Sequence, residues 1–255
     1  MSLRSPTWRD SARALARNLA WGTALTAVAC LCFQVVARHI DPTTAARLAT
    51  PADDAIPFEA WTVYLYSWVY TSMLYPAFVV RSRRLFLRVA AAYALVVSVS
   101  LVCFWVFPVT SLGFRPDAAT LDLTAFANWG IRLTFFADPP TNLFPSLHMS
   151  VAVIAALSAW KARRIYGALA STFVVAISVS ILTTKQHYIA DGLAGWLLAA
   201  VVYALVLRPY DETAEPMEER AFSGLGVLAY VAFHLSVYGA MYLAFRAGFA
   251  PWSAG

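Results

Sequence analysis

His187 and Asp191 have types and a spacing that predict chemistry. Side chains four residues apart share one face of an α-helix, so the Asp191 carboxylate can bond one nitrogen of the His187 imidazole. That bond fixes the tautomer and makes the other ring nitrogen a better base or nucleophile. A His–Asp pair that only stabilises a helix end has the same spacing. Ionisable residues at membrane depth are usually functional, which favours the chemical interpretation.

A predicted helix start supplies a second group of candidates. Pro145 and Ser146 precede an apolar run, a pattern typical of a helix N-terminus with Ser146 as its cap. The free N–H groups and positive dipole end of such a helix bind anions such as phosphate. His148 falls in the first turn. Taken alone, Ser146 could be only a cap and His148 only a structural residue.

Two cations complete the candidate site. Lys185 lies two residues before His187, and Arg115 lies in a long loop directly before Pro116. Each alone could be an ordinary interfacial charge. Combined with two imidazoles, a helix start and a carboxylate, they form the set that phosphoryl transfer requires. Cations hold the equatorial oxygens, a nucleophile attacks in line, and an acid protonates the leaving oxygen.

A metal site is the competing hypothesis. His148, His187 and Asp191 could supply two nitrogens and a carboxylate. The sequence has no His-x-x-x-His pair and no supporting pair of cysteines, and the neighbouring cations would repel a metal ion. We therefore predict a site that holds no metal. His39 and His234 have no partners in the sequence, and we assign them no catalytic role.

The composition shows what kind of element must position these residues. Of the 255 residues, 60% are hydrophobic and 13% are charged, whereas soluble domains carry about 45–50% and 25%. The excess predicts an all-α, polytopic membrane helical bundle with a six-span core and a seventh, C-terminal span. The basic residues flank apolar segments instead of forming a patch with aromatics, so we expect no nucleic-acid partner. The seven apolar segments are 19–37, 60–80, 86–107, 147–160, 165–183, 188–207 and 222–245.

Four regions follow from this pattern. Residues 1–18 carry arginines on one helical face and predict a basic interfacial segment; residues 19–207 form the six-span core; residues 208–221 form a charged cytoplasmic loop; and residues 222–255 add a span and tail. A cleavable signal is the alternative for the first apolar run, but that run continues to the length of a full span. The loop at 108–145 is rich in aromatics and predicts a short interfacial helix around 121–136.

The distribution of positive charge predicts the orientation. Lysine and arginine are enriched on the cytoplasmic side of spans. With the N-terminus in the cytoplasm, thirteen of the 19 basic residues fall on cytoplasmic segments. The candidate residues, among them Arg115, His148 and His187, fall at the other ends of their spans. We expect a multi-pass protein of the cell membrane whose active site faces outward.

At these residues the chain resembles the type 2 phosphatidic acid phosphatase superfamily, the membrane relatives of vanadium haloperoxidases. Arg115-Pro116 is similar to the end of that family's first motif, Pro145–His148 to its second, and Ser180 with His187–Asp191 to its third. The sequence departs from the family at two positions, because Pro108 replaces a lysine of the first motif and Ile181 replaces an arginine of the third.

Within the superfamily, the chain resembles the branch of inositol phosphorylceramide synthases and sphingomyelin synthases. The resemblance runs from about residue 53 to 207. Three stretches carry it: Asp54–Phe58 leading into Trp61 and Tyr64, Phe144–His148, and Thr184–Tyr188. In that branch, Lys185 could stand in for the missing arginine.

The resemblance implies a six-helix membrane fold and a phosphohistidine intermediate. It implies that His187 attacks phosphorus, that Asp191 orients His187, and that His148 protonates the leaving alkoxide and then activates the acceptor. Arg115, Ser146 and Lys185 would hold the phosphate oxygens, without metal or other cofactor. The expected substrate is a membrane lipid, and the acceptor is water, a small alcohol or a lipid alcohol. A lipid or anion transporter that uses the cations without catalysis is the alternative, although the paired, interrupted spans typical of that class are not evident.

Overall fold

The computed structural model describes residues 7–253, which form an all-α bundle with no β-strand in that range. Five helices are long and apolar enough to cross a membrane, namely α1, α6, α9, α10 with its continuation, and α12. The chain is therefore a multi-pass membrane protein, as its composition predicts. In chain order the helices are α1 (Trp8–Arg38), α2 (Pro51–Ala55), α3 (Val63–Tyr66), α4 (Trp68–Ser72), α5 (Tyr75–Val79), α6 (Arg83–Val106), α7 (Phe126–Ala137), α8 (Leu147–Ala162), α9 (Arg164–Thr183), α10 (Ile189–Val202, continued by a π-helix at Tyr203–Leu207), α11 (Met217–Arg220) and α12 (Gly224–Arg246).

Two of the seven predicted spans differ in form from the long helices. Helix α8 has 16 residues, and the segment predicted at 60–80 is an interrupted series, a 3₁₀ turn at Ala60–Thr62 followed by α3, α4 and α5. Pro76 has no N–H to donate, and its ring crowds the carbonyl four residues earlier, which explains the last interruption. The number of membrane crossings in the core stays a prediction.

The N-terminal segment is helical from Trp8, with Thr7 as its cap, and continues without a break into the first apolar run. Arg9, Arg13 and Arg17 lie on the first turns of this helix, whereas residues 1–6, which include Arg4, lie outside the described residues. The interfacial position predicted for 1–18 stays a prediction. The helix expected around 121–136 corresponds to α7.

Helix α8 occupies the centre of the bundle. It packs against α4, α5, α6, α9 and α10, and most of its side chains are buried. A helix that is apolar on all sides requires such surroundings. Because helices pack around α8 on all sides, the positions of Ser146 and His148 at its start are fixed by the bundle.

The basic residues of the predicted cytoplasmic segments and the predicted site lie at opposite ends of α8. At the far end, Lys161 forms an ion pair of 2.9 Å with Glu212 in the charged loop, and Arg81 donates to the carbonyl of Glu218 in the same loop. His148 lies thirteen residues from Lys161, which is about 20 Å along a helix. The segments predicted to be cytoplasmic are therefore grouped at one end, away from the candidate residues.

A glycine sets how closely α10 approaches the start of α8. A Cβ at Gly195 would lie 2.4 Å from the carbonyl oxygen of Ser146, closer than such atoms can approach. The Gly195 carbonyl also accepts a hydrogen bond of 3.0 Å from Ser150 Oγ. The second turn of α10 therefore approaches the start of α8 this closely only because this position has no side chain.

We expect Gly195→Ala to lower the free energy of unfolding by about 1–3 kcal/mol, as overpacking does elsewhere. Gly239→Ala is the matched control, because a Cβ there meets nothing within 4 Å and alanine favours a helix by about 1 kcal/mol over glycine. Thermal unfolding of both variants in the same detergent measures the difference. Equal unfolding temperatures for Gly195→Ala and the parent would contradict the close-approach argument.

Candidate functional site

The two histidines predicted from separate motifs lie side by side. His187 Nε2 is 3.0 Å from His148 Nδ1 and 3.3 Å from Ser146 Oγ. The other ring nitrogen, His187 Nδ1, is 2.8 Å from Asp191 Oδ2. His187, Ser146 and Asp191 are buried, and His148 is half-buried. Four of the six predicted site residues are thus in direct contact.

The end of α9 turns the chain so that His187 points back into the bundle. Lys185 follows the helix with a φ of 58°, in the left-handed region that usually holds glycine or asparagine after a helix. The N–H groups of Gln186 and His187 both donate to the carbonyl of Ile181. Ile181, which stands where the related motif has an arginine, is itself buried. The sharp turn directs His187 towards α8.

The start of α10 is capped by a residue that is distant in sequence. Tyr188, at the cap position, offers no side-chain hydrogen bond, but Asp53 Oδ1 accepts from the Ile189 N–H at 2.7 Å. Burial opposes ionisation of Asp53, but hydrogen bonds from Thr50 and the Ile189 N–H outweigh it and lower the pKa of this carboxyl. The Asp191 carbonyl in turn accepts from the Ser146 N–H at 2.9 Å. These bonds fix the position of the start of α10 relative to the start of α8.

The hydrogen bonds determine how protons are distributed over the two rings. When His187 Nδ1 donates to the Asp191 carboxylate, His187 Nε2 carries a lone pair and can only accept. His148 Nδ1 is then the donor across the 3.0 Å contact. Burial, and after it the charge of Arg115, lowers the pKa of His187 to about 3. His187 is therefore neutral at physiological pH, with Nε2 available as a nucleophile.

Arg115 reaches the same site from the long loop. Its Nη1 donates to the Asp138 carbonyl at 2.8 Å, and its Nη2 donates to the side-chain oxygen of Gln186, the residue next to His187. Burial lowers the pKa of the guanidinium, and Asp138 is the first group that opposes this shift. Two donors, Arg115 Nε and Gln186 Nε2, are buried without an acceptor among the described residues. Phosphate oxygens would suit such donors.

Lys185 is directed elsewhere in this structure. Its Nζ donates to the main-chain carbonyls of Asp53, at 2.8 Å, and of Ile56, and lies 4.6 Å from the centre of the Phe114 ring. Burial lowers the pKa of this amine, while Asp54 and Asp53 oppose the shift. The structure therefore shows Lys185 holding the segment that caps α10, and direct contact with phosphate stays a prediction.

The sequence interpretation missed three side chains next to His148. Asp138 Oδ2 accepts hydrogen bonds from Tyr66 Oη, at 3.0 Å, and from Tyr70 Oη, and lies 3.8 Å from His148 Nε2. Tyr66 Oη also lies 3.4 Å from His148 Nδ1. A second carboxylate, tied down by two phenols, thus faces the second histidine.

Only part of this cluster left a signal in the sequence. Tyr66 and Tyr70 are four residues apart, the spacing of one helical face. Asp138 precedes two prolines but is otherwise like Asp117 and Asp122, which lie exposed in the same loop. Gln186 stands beside His187 without any distinguishing feature. Its burial and that of Asp138 follow from the fold.

Comparison with known proteins identifies a family that this chain matches. A family model described as the PAP2 superfamily matches residues 36–205, two thirds of the chain. No curated protein and no solved structure matches. The matched region contains the two histidines of the site, His148 and His187, together with Asp191 and Arg115. Most of α1 and all of α12 lie outside it. The length of the match shows that this chain belongs to the PAP2 superfamily.

Proposed function

We propose that this membrane protein cleaves or transfers a phosphate or phospho-head-group of a lipid through a phosphohistidine on His187. Membership of the PAP2 superfamily supports phosphatase- or phosphotransferase-type chemistry on a lipid phosphate. The observation that carries the finer proposal is the arrangement around His187, with Asp191 at 2.8 Å on one ring nitrogen and His148 at 3.0 Å on the other. A nucleophile flanked by an orienting carboxylate and an acid–base partner is what two-step group transfer requires.

Each step then has a group to carry it out. His187 Nε2 attacks the phosphorus while the bond to the lipid oxygen breaks, and a protonated His148 gives its proton to that oxygen. In the second step, His148 takes a proton from the incoming hydroxyl, which attacks the phosphohistidine and releases His187. The two ring nitrogens are 3.0 Å apart, which leaves no room for phosphorus between them. The rings must therefore separate when the substrate binds.

The phosphate oxygens have several donors within the cluster. Arg115 carries a fixed positive charge, and Ser146 lies at the start of α8, where N–H groups and the helix dipole favour an anion. Arg115 Nε and Gln186 Nε2, buried donors that meet no acceptor in the described part of the chain, support this assignment. Lys185 would contribute as predicted only if substrate drew its amine away from the carbonyls of Asp53 and Ile56. In the present geometry, it acts by holding the cap of α10.

The acceptor decides between hydrolysis and transfer. The likeness of Phe144–His148 and Thr184–Tyr188 to inositol phosphorylceramide and sphingomyelin synthases favours transfer to an alcohol. Water at the same position would give a phosphatase, because the second step needs only a hydroxyl that His148 can deprotonate. No metal or other cofactor enters either step of the proposal.

We further propose that the site faces away from the cytoplasm. The proposal is supported by the grouping of basic segments at the opposite end of the bundle, where Lys161 meets Glu212. Lysine and arginine in short loops favour the cytoplasmic side.

We expect His187→Ala to lower turnover of a labelled lipid phosphate by at least about a thousandfold, as loss of a catalytic nucleophile does elsewhere. The assay is run on purified protein in excess chelator, with and without alcohol acceptors. Protein quenched during turnover is then tested for a covalent phosphoryl label that is labile to acid and stable to alkali. His39→Ala is the control, because His39 is exposed and its side chain bonds only the Val35 carbonyl. Near-normal turnover in His187→Ala would overturn the nucleophile, and loss of activity in chelator that zinc or magnesium restores would favour the metal hypothesis.

Accessibility of single cysteines tests the orientation. With Cys30, Cys32 and Cys103 replaced, Asp117→Cys should react with a membrane-impermeant thiol reagent added to intact cells. Arg164→Cys, at the opposite end of the bundle, should react only after permeabilisation. Both positions are exposed, so the difference reports the side of the membrane. The reverse pattern would place the chemistry on cytoplasmic lipids.

A further inference from the structure

A cavity of about 290 Å³ lies next to His148, between α1 and the α4–α8 side of the bundle. Its polar end is formed by Asp138 and His148, and the rest of its wall is mostly apolar, with Phe33, Met73 and Val151 among the lining residues. The cavity is therefore continuous with the candidate site and becomes apolar away from it.

The wall contributed by α1 runs deep. It extends from Gln34 to Thr26, eight residues, which is about 12 Å along a helix. Cys30 lies on this wall, and both Cys30 and its neighbour Leu31 are exposed on the outside of the bundle. The cavity is thus partly open on a face that a membrane-spanning helix presents to lipid.

We propose that this cavity binds a hydrocarbon chain of the substrate and that α1, which lies almost entirely outside the family match, completes the substrate site of this chain. The proposal rests on the proposed function, and names a long-chain lipid phosphate as the substrate class. A chain lying along α1 would leave its phosphate at the polar end, beside His148. The polar side chains along this wall are few, and Thr26 and Gln34 already donate to the main-chain carbonyls of Gly22 and Ala137, so a small, water-soluble phosphate would gain little there.

The physical effect of the cavity is positional. Lipid tails are as apolar as the cavity wall, so moving a chain from bilayer to cavity yields little hydrophobic free energy. What the cavity provides is a fixed path for the chain, which places the phosphate between the two histidines. Obstruction of the cavity should therefore penalise long-chain substrates and spare short-chain ones that reach the site without it.

Cys30→Trp, which places an indole in the wall, tests this. We expect kcat/KM for a dioleoyl lipid phosphate to fall at least about tenfold, as when a binding pocket loses its fit, while a dihexanoyl analogue stays within about twofold. Leu31→Trp is the matched control, because Leu31 is 64% exposed and points away from the cavity lining. An equal effect on both substrates, or no effect of Cys30→Trp, would overturn the proposal.

A binding measurement separates this proposal from the proposed function. A lipid phosphate with a photoreactive diazirine in its acyl chain should label the 26–34 stretch of α1, with much less labelling in Cys30→Trp than in Leu31→Trp. Labelling without turnover of any substrate would sink the enzyme proposal but keep the chain site. Turnover with labelling spread over the outer surface would overturn the chain site but keep the enzyme proposal.

A second inference comes from the hydrogen bonds of Asp138 and does not depend on the cavity. Because His148 Nδ1 donates to His187, a neutral His148 would turn the lone pair of Nε2 towards the Asp138 carboxylate, 3.8 Å away. An imidazolium would instead turn an N–H towards that carboxylate. Tyr66 and Tyr70 both donate to Asp138 Oδ2, which holds the carboxylate in place.

We infer that Asp138 is a positioning residue that stabilises the protonated form of His148, the form that the proposed first step needs. The other charged or titratable groups around His148 are Tyr66, Tyr70, His187 with its partner Asp191, and Arg115. Arg115 and His187 oppose a positive charge on His148, so Asp138 is the carboxylate that offsets them. This inference also rests on the proposed function.

Asp138→Asn keeps the shape of the side chain and removes its charge. Because the protonated form of His148 is then less stable, the alkaline limb of the pH profile of kcat/KM should move to lower pH by about one unit or more. Asp122→Asn makes the same change of net charge at an exposed site in the same loop and should leave the limb in place. A uniform loss of activity without movement of the limb would show a purely structural role.

A spectroscopic measurement keeps this inference testable if no substrate is turned over. With ¹⁵N-labelled histidines, the His148 ring signals should change over a lower pH range in Asp138→Asn than in the parent or in Asp122→Asn. Signals that titrate identically in all three proteins would overturn the inference.

Discussion

The close approach of two helix starts is the constraint on which the rest of the site depends. The start of α8 meets the second turn of α10 at Gly195, whose missing side chain lets the backbones touch, and the Ser146 N–H donates to the Asp191 carbonyl across the junction. The two polar motifs lie at or just before these helix starts, so their distance is set by backbone contact. The flexibility of long side chains plays little part.

The charged side chains buried at this junction each have at least one hydrogen-bonding partner. Asp191 faces His187, Asp138 is held by two phenols, and the Arg115 guanidinium bonds loop carbonyls and Gln186. Ionisable groups at membrane depth persist only with such partners. Arg115 Nε and Gln186 Nε2, which have no acceptor among residues 7–253, lie in the same cluster, where an anion would supply one. The arrangement is therefore a buried, partly paired network that is chemically asymmetric, with one carboxylate for each histidine.

The helices outside the family match have different relations to this core. Helix α12 packs on α5 and α7, and its buried His234 contacts Thr71 at 3.0 Å and stacks on Trp68, so its polar group is satisfied structurally. Helix α1 packs on α5 and α6 and lines the cavity that reaches His148. Helix α1 thus lies nearer to the candidate site than α12 does, a difference that hydropathy does not reveal.

The sequence by itself determined the properties that depend on neighbouring residues. The apolar segments and the Ser146 cap of α8 each need only the geometry of one helix. The contact between His187 and Asp191 is also local, although His187 lies just before α10 and not on its face as the spacing predicts. The interruption of 60–80 was missed, because hydropathy does not report where a helix bends. Tertiary structure alone decided that His148, 39 residues from His187, lies against it, that Asp138 joins them, and that the Lys185 amine points to Asp53 and Ile56. Those outcomes depend on how helices pack and where loops return, and residue type and spacing do not specify either one.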